Sequence, residues 1–170
     1  RSGGRSDFGN LNFSYSHLDE SGFLKNNNVE RNNFSLGGNA KLTDKFTIGS
    51  TFNYVRSDIE TPPVGTGSGN NSNGGPSVFA NLYFTPRNID LTNWPYQHPV
   101  TGGNVYYRNG NNITNPRWVL NNSKQTSVTN RFFSNVNFNY QLTDWLKLTY
   151  RLGFDTYSDK QGFYINKGSV

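Results

Sequence analysis

The side chains best suited to recognition are collected in one long segment: Arg87, Trp94, Tyr96, Tyr106, Tyr107, Arg117 and Trp118. Aromatic rings and guanidinium groups stack on sugar rings, grip peptides and anchor protein contacts, and both residue types are enriched where proteins meet. The competing expectation is that the same side chains pack the segment against the rest of the protein. A second set, Arg131, Lys147, Arg151 and Asp155, shares one parity in a region of strict alternation. These four would line one polar face, where they can meet a substrate path or hold a neighbouring segment by ion pairs.

Catalytic and cofactor chemistry has no comparable set. The chain has no cysteine, so thiolate, disulfide and Cys-metal sites are excluded. His17 and His98 lack acidic partners at ligand spacing, which favours surface roles over metal binding. The run Gly65-Thr66-Gly67-Ser68-Gly69 lacks the Lys-Ser/Thr of a phosphate loop and reads as a loose loop. Asp19 and Glu20 adjoin in a turn signal, where solvated charges are the default. Sequons at Asn12, Asn33, Asn112 and Asn121 are expected by chance in so Asn-rich a chain. The expectation is therefore no enzyme activity, no catalytic residues, no metal and no cofactor.

The elements that must position these residues are strands. From Val128 to Tyr157, apolar residues fall on even positions: Val128, Phe132, Val136, Phe138, Tyr140 and Leu142, then Leu146, Leu148, Tyr150, Leu152 and Phe154. The odd positions from Thr129 to Asp155 are polar or glycine apart from Phe133 and the turn residue Trp145. Successive strand side chains point to opposite faces, so this is a long hairpin with one apolar and one polar face. Five strands are expected, at about 8–18, 31–42, 46–57, 126–142 and 146–158, after a flexible approach at 1–7. Parity places Leu42 opposite Phe46 and Leu142 opposite Leu146, with three-residue turns at 43–45 and 143–145 unless a bulge intervenes. A loop of about 59–125 separates the third and fourth strands, and its 61–75 tract of Pro, Gly, Ser, Thr and Asn reads as a disordered tip. Within it, short helical turns are expected after Pro76 and after Asn115-Pro116, an N-cap residue followed by proline at the first helical position.

Composition sets the environment. Only 32% of the 170 residues are hydrophobic while 15% are aromatic, so the apolar residues serve one strand face and not a conventional core. The net charge of +5 is scattered without a basic run, which argues against a nucleic-acid partner. The strands carry alternation for ten residues or more, where strands of soluble domains run to about 5–6 and barrel strands need about 9–11 to cross a bilayer. Turns are short on one side and loops long on the other, and aromatics cluster near strand ends; both are outer-membrane barrel features. The fold expected is all-β: an antiparallel transmembrane barrel segment, with Arg131, Lys147, Arg151 and Asp155 facing the lumen. A soluble β-sandwich with the same stripe inside is the rival. Five strands cannot close a barrel, so the chain reads as part of a longer polypeptide.

Four stretches carry a family resemblance. They are Tyr15-Ser16-His17-Leu18-Asp19-Glu20-Ser21-Gly22-Phe23, Arg31 to Leu42, Asn115-Pro116-Arg117-Trp118-Val119-Leu120 leading to Thr129-Asn130-Arg131-Phe132-Phe133, and Leu152-Gly153-Phe154-Asp155-Thr156-Tyr157. In order and spacing they resemble the barrel region of SusC/RagA-type TonB-dependent transporters of Bacteroidetes outer membranes. The third position of the Asn-Pro stretch, often aromatic in that family, is Arg117 here. The resemblance implies a barrel of about 22 strands around a plug, of which residues 1–170 would be wall and extracellular loops without the plug. It also implies import of glycan or peptide oligomers across the outer membrane with a SusD-like surface lipoprotein as lid, energised through TonB. The long-loop aromatics and arginines would then touch substrate or lid. The alternatives are a soluble secreted adhesin or carbohydrate-binding module, and a SusC-like barrel serving a secretion or motility assembly.

Overall fold

A computed structural model describes residues 2–63, 77–107 and 113–169. The run Gly65–Gly69, the Asn112 sequon and nearly all of the expected loop tip lie outside the described residues.

Six strands form one open antiparallel sheet in chain order: β1 (Ser2–Ser6), β2 (Gly9–Ser21), β3 (Asn28–Thr43), β4 (Phe46–Thr61), β5 (Ser123–Gln141) and β6 (Lys147–Ile165). Two short helices, α1 (Val78–Tyr83) and α2 (Pro116–Asn122), lie between β4 and β5 in the chain. The first strand corrects the expected flexible approach. Ser2 to Ser6 pair with Phe13 to Gly9, because β2 offers a free edge and Gly3 lets β1 lie close to Leu11 and Asn12. Strands of 13 to 19 residues follow β1, longer than the sequence pattern alone marks.

The chain divides into two compact units. The first comprises residues 1–19, 30–58 and 128–160. Its pairings follow parity. Asn39 lies against Gly49, and Phe34 stacks on Tyr54, the register that brings Leu42 opposite Phe46. On the other hairpin Asn139 bonds Thr149, and Thr129 bonds Asp159, which keeps Leu142 opposite Leu146. The three-residue turn expected there is tighter in detail. The amides of Leu142 and Thr143 both donate to the Leu146 carbonyl, and the Leu146 amide donates back to Thr143. Two residues thus oppose one, a bulge, and only Asp144-Trp145 form the tip. At the other turn, strand pairing reaches Thr143's counterpart Thr43, leaving Asp44-Lys45 as the tip. β2 and β3 approach so closely at Gly38 that a Cβ there would sit 2.5 Å from the Asn10 carbonyl oxygen, which is why no side chain is tolerated.

Much of the apolar parity of this unit is exposed: Leu36 is 41% exposed, Leu148 57% and Phe154 59%, while Phe132 and Phe138 on β5 are half-buried. Aromatic rings cross the strands in rows, Tyr15–Phe34–Tyr54, Phe52–Phe132–Phe154 and Phe46–Phe138–Tyr150, with centroids 4.8–6.5 Å apart.

The second unit comprises residues 20–29, 59–127 and 161–170. It holds the buried side chains Val78, Tyr106, Trp118 and Val119, together with the buried prolines Pro62, Pro63 and Pro116. α1 is capped by Ser77, whose hydroxyl accepts from the Ala80 amide, and α2 by Asn115, whose Oδ1 accepts from the Arg117 amide with Pro116 in the first turn. Both helices are too short to persist alone, so packing against each other and around Trp118 must hold them.

Candidate functional site

The Asn115-Pro116-Arg117-Trp118 stretch is the centre of the second unit, and each of its side chains has a distinct task. Asn115, fully buried, caps α2 and donates from Nδ2 to the Val105 carbonyl at 3.0 Å, while its amide donates to Asn104 Oδ1 at 2.8 Å. Trp118, also fully buried, donates from its indole N–H to the Gly102 carbonyl at 3.0 Å. Arg117 stacks over the Tyr96 ring at 4.7 Å and donates from Nη1 to the carbonyls of Leu91 (2.7 Å), Thr92 (2.6 Å) and Trp94 (3.4 Å). One guanidinium thus fastens the segment 91–96 to α2.

The recognition residues therefore separate. Trp118 and Tyr106 are enclosed, and Tyr106 shares a 2.5 Å hydrogen bond with Thr85 and stacks edge-on against Tyr107. A substrate or lid contact expected for these two is corrected to internal packing, because an indole and a phenol can be buried once their polar atoms find partners. Arg117 and Tyr96 are committed to each other. Trp94 is 39% exposed, Tyr107 is half-buried with its hydroxyl on the Phe84 carbonyl at 3.4 Å, and Arg87 is exposed. Trp94 and Arg87 keep the exposure that an external contact needs.

The polar set of the first unit is brought together in part. Arg131 meets Asp155 through both Nε and Nη2, and its guanidinium lies 5.3 Å from the Phe133 ring. Among the described residues, Lys147 and Arg151 have no carboxylate within ion-pair reach. Arg151 instead borders a hollow of about 410 Å³ with Asn135, Asn137, Leu152 and Gly153.

The two histidines occupy local networks. His17 Nδ1 donates to Asn32 Oδ1 at 2.9 Å, an oxygen that also accepts from the Tyr15 hydroxyl. His98 Nδ1 accepts from the amides of Val100 and Thr101. Among the described residues no cluster of three potential metal ligands occurs. Two carboxylates in turns are held below the usual range: Asp44 by its bond to Lys41, and Asp90 by the Asn93 side chain and then the amides of Asn93 and Thr92.

Sequence reasoning missed Asn81, a fully buried side chain of α1 that donates to the Thr114 carbonyl at 2.8 Å and ties α1 to the approach to α2. The signal was its place among Val78, Phe79 and Leu82, a polar residue within an apolar helical turn. It also missed Asn26, the one described non-glycine residue with positive φ (60°), whose amide reaches the Leu120 carbonyl. Neither a scan against protein-family models nor a search of the curated proteins finds a match to this chain.

Proposed function

We propose that this chain is an arc of an outer-membrane β-barrel wall, of the kind found in SusC/RagA-type TonB-dependent transporters, with the segment 59–125 outside the membrane. The observation that carries the proposal is the uncovered apolar face: Leu36, Phe52, Tyr54, Leu148, Tyr150 and Phe154 are each more than a third exposed. In water such a continuous patch is unfavourable and marks a partner or a membrane. Phe46 and Tyr54 lie eight residues apart on β4, about 26 Å of strand and about 20 Å along the normal at a ~40° tilt, the scale of the apolar band of barrel walls. Aromatic rows at those two levels fit membrane interfaces. On this reading the chain works with the remaining wall and plug, a SusD-like surface lipoprotein and TonB, importing glycan or peptide oligomers as a non-enzymatic protein of the bacterial outer membrane.

The test is parity-resolved. Single Trp substitutions at Leu148 and Thr149, placed in vesicles of brominated lipid, should be quenched at the first position and not at the second. Equal quenching, or a monomeric chain soluble without detergent, would replace this reading with that of a secreted adhesin or carbohydrate-binding module.

A further inference from the structure

β6 is the last strand of the sheet, so one of its edges carries no strand among the described residues, and nearly all of its 19 residues are exposed. Such an edge is a template for strand addition. Its side chains restrict what can add. On the polar parity, Thr149 is engaged by Asn139, Asp155 by Arg131 and Asp159 by Thr129. Among the described residues, that leaves Lys147 and Arg151 as the β6 cations of this face without a carboxylate in ion-pair reach. They stand four residues apart on one face, about 13 Å along the strand. Next to Arg151 the face is hollow, because a Cβ on Gly153 would meet nothing within 4 Å. The hollow is lined by Arg151, Asn135 and Asn137 together with Leu152 and Gly153, so a guanidinium stands beside neutral hydrogen-bonding residues. That combination suits a carboxylate, which guanidinium binds through two parallel bonds.

From this geometry we infer that the free edge of β6 takes up an amphipathic strand bearing two carboxylates four residues apart on its polar face, one seated over Gly153 against Arg151 and the other at Lys147. The other face of the incoming strand is apolar, to continue the row of Leu148, Tyr150, Leu152 and Phe154. Backbone pairing supplies most of the attraction and no sequence choice; the two cations supply the register and the selection. The inference goes beyond the wall reading by naming the chemistry of the neighbouring strand, and it rests on that reading only for the apolar surroundings.

The test uses the full 170-residue chain in detergent micelles and fluorescent 11-residue strand peptides of alternating pattern. One peptide carries Glu at two polar-face positions four apart, and its counterpart carries Lys there. The Glu peptide should bind about tenfold more tightly, since opposite charges across strands attract and like charges repel. The double variant K147E/R151E should reverse the preference. Binding should slow hydrogen exchange of the outward-pointing β6 amides. Equal binding of both peptides, or no reversal, overturns the charge selection. Preference without slowed exchange overturns strand addition and assigns the carboxylates to a segment lying across the polar face. If the chain proves soluble without detergent, the wall reading fails separately, and the same peptides in buffer alone still decide this inference.

Discussion

Arg131 on β5 reaches Asp155 on β6 diagonally, donating from Nε to Oδ1 at 3.0 Å and from Nη2 to Oδ2. Both side chains are about half exposed, 52% and 50%. The two-pronged geometry restrains the polar face of the hairpin, but solvent limits its strength. Removing each partner and both together, in a double-mutant cycle by denaturant unfolding, should give only a small coupling, one that weakens with added salt. A large coupling that persists at high salt would mean that something else encloses the pair.

Trp118 carries a far larger share. It is fully buried in the unit that also buries Val78, Val119 and Tyr106, with its indole bonded to Gly102. Trp118→Ala should destabilise the second unit by about 3–5 kcal/mol through the cavity it leaves. Trp118→Phe should cost less, retaining much of the volume but leaving the Gly102 carbonyl short of one donor. Limited proteolysis between Ser77 and Tyr107 reads both changes.

Asp90 gives the segment 90–94 an acid limit. Its carboxylate accepts from the Asn93 side chain at 2.7 Å and from the amides of Thr92 and Asn93, which hold its pKa below the ordinary value. Because the folded value is depressed, the stabilisation is present above the unfolded value near 3.9 and is lost as pH falls through the folded one. Amide exchange at Trp94, which donates to the Asp90 carbonyl at 2.9 Å, should accelerate below about pH 4. In Asp90→Asn the acceleration in that window should vanish.

Gly38 fixes how near β2 and β3 can lie. A Cβ there meets the Asn10 carbonyl oxygen at 2.5 Å, backbone that cannot swing aside. Gly38→Ala should weaken the β2–β3 ladder, seen as faster exchange of the Lys41 amide, which donates to Phe8 at 2.7 Å. Gly153→Ala, with open space around it, should leave exchange unchanged.

Strand identity and register were legible because alternation is a local signal repeated over many residues, and the pairs Asn139–Thr149 and Phe34–Tyr54 follow from parity together with the positions of the two turns. The cap at Asn115 was legible because its Asn-Pro pair has one favourable geometry. β1 was not, since Ser2-Gly3-Gly4-Arg5-Ser6 has no alternation and is a strand only because β2 offers it an edge. The fate of the loop aromatics was illegible for a related reason. Burial of Trp118 and Tyr106 depends on carbonyls at Gly102 and Asn81 that no spacing rule places beside them.

The small core around Trp118 has a kinetic consequence. β4 ends at Thr61 and β5 begins at Ser123, so their pairing must close a long stretch of chain. The entropic cost of closure grows with the logarithm of the free length, and contacts distant in sequence slow folding. If the helices and the Arg117 clasp form first, the stretch left to be searched is much shorter than the one written in the chain. The excursion then acts as a spacer that sets how soon the two halves of the sheet can find each other.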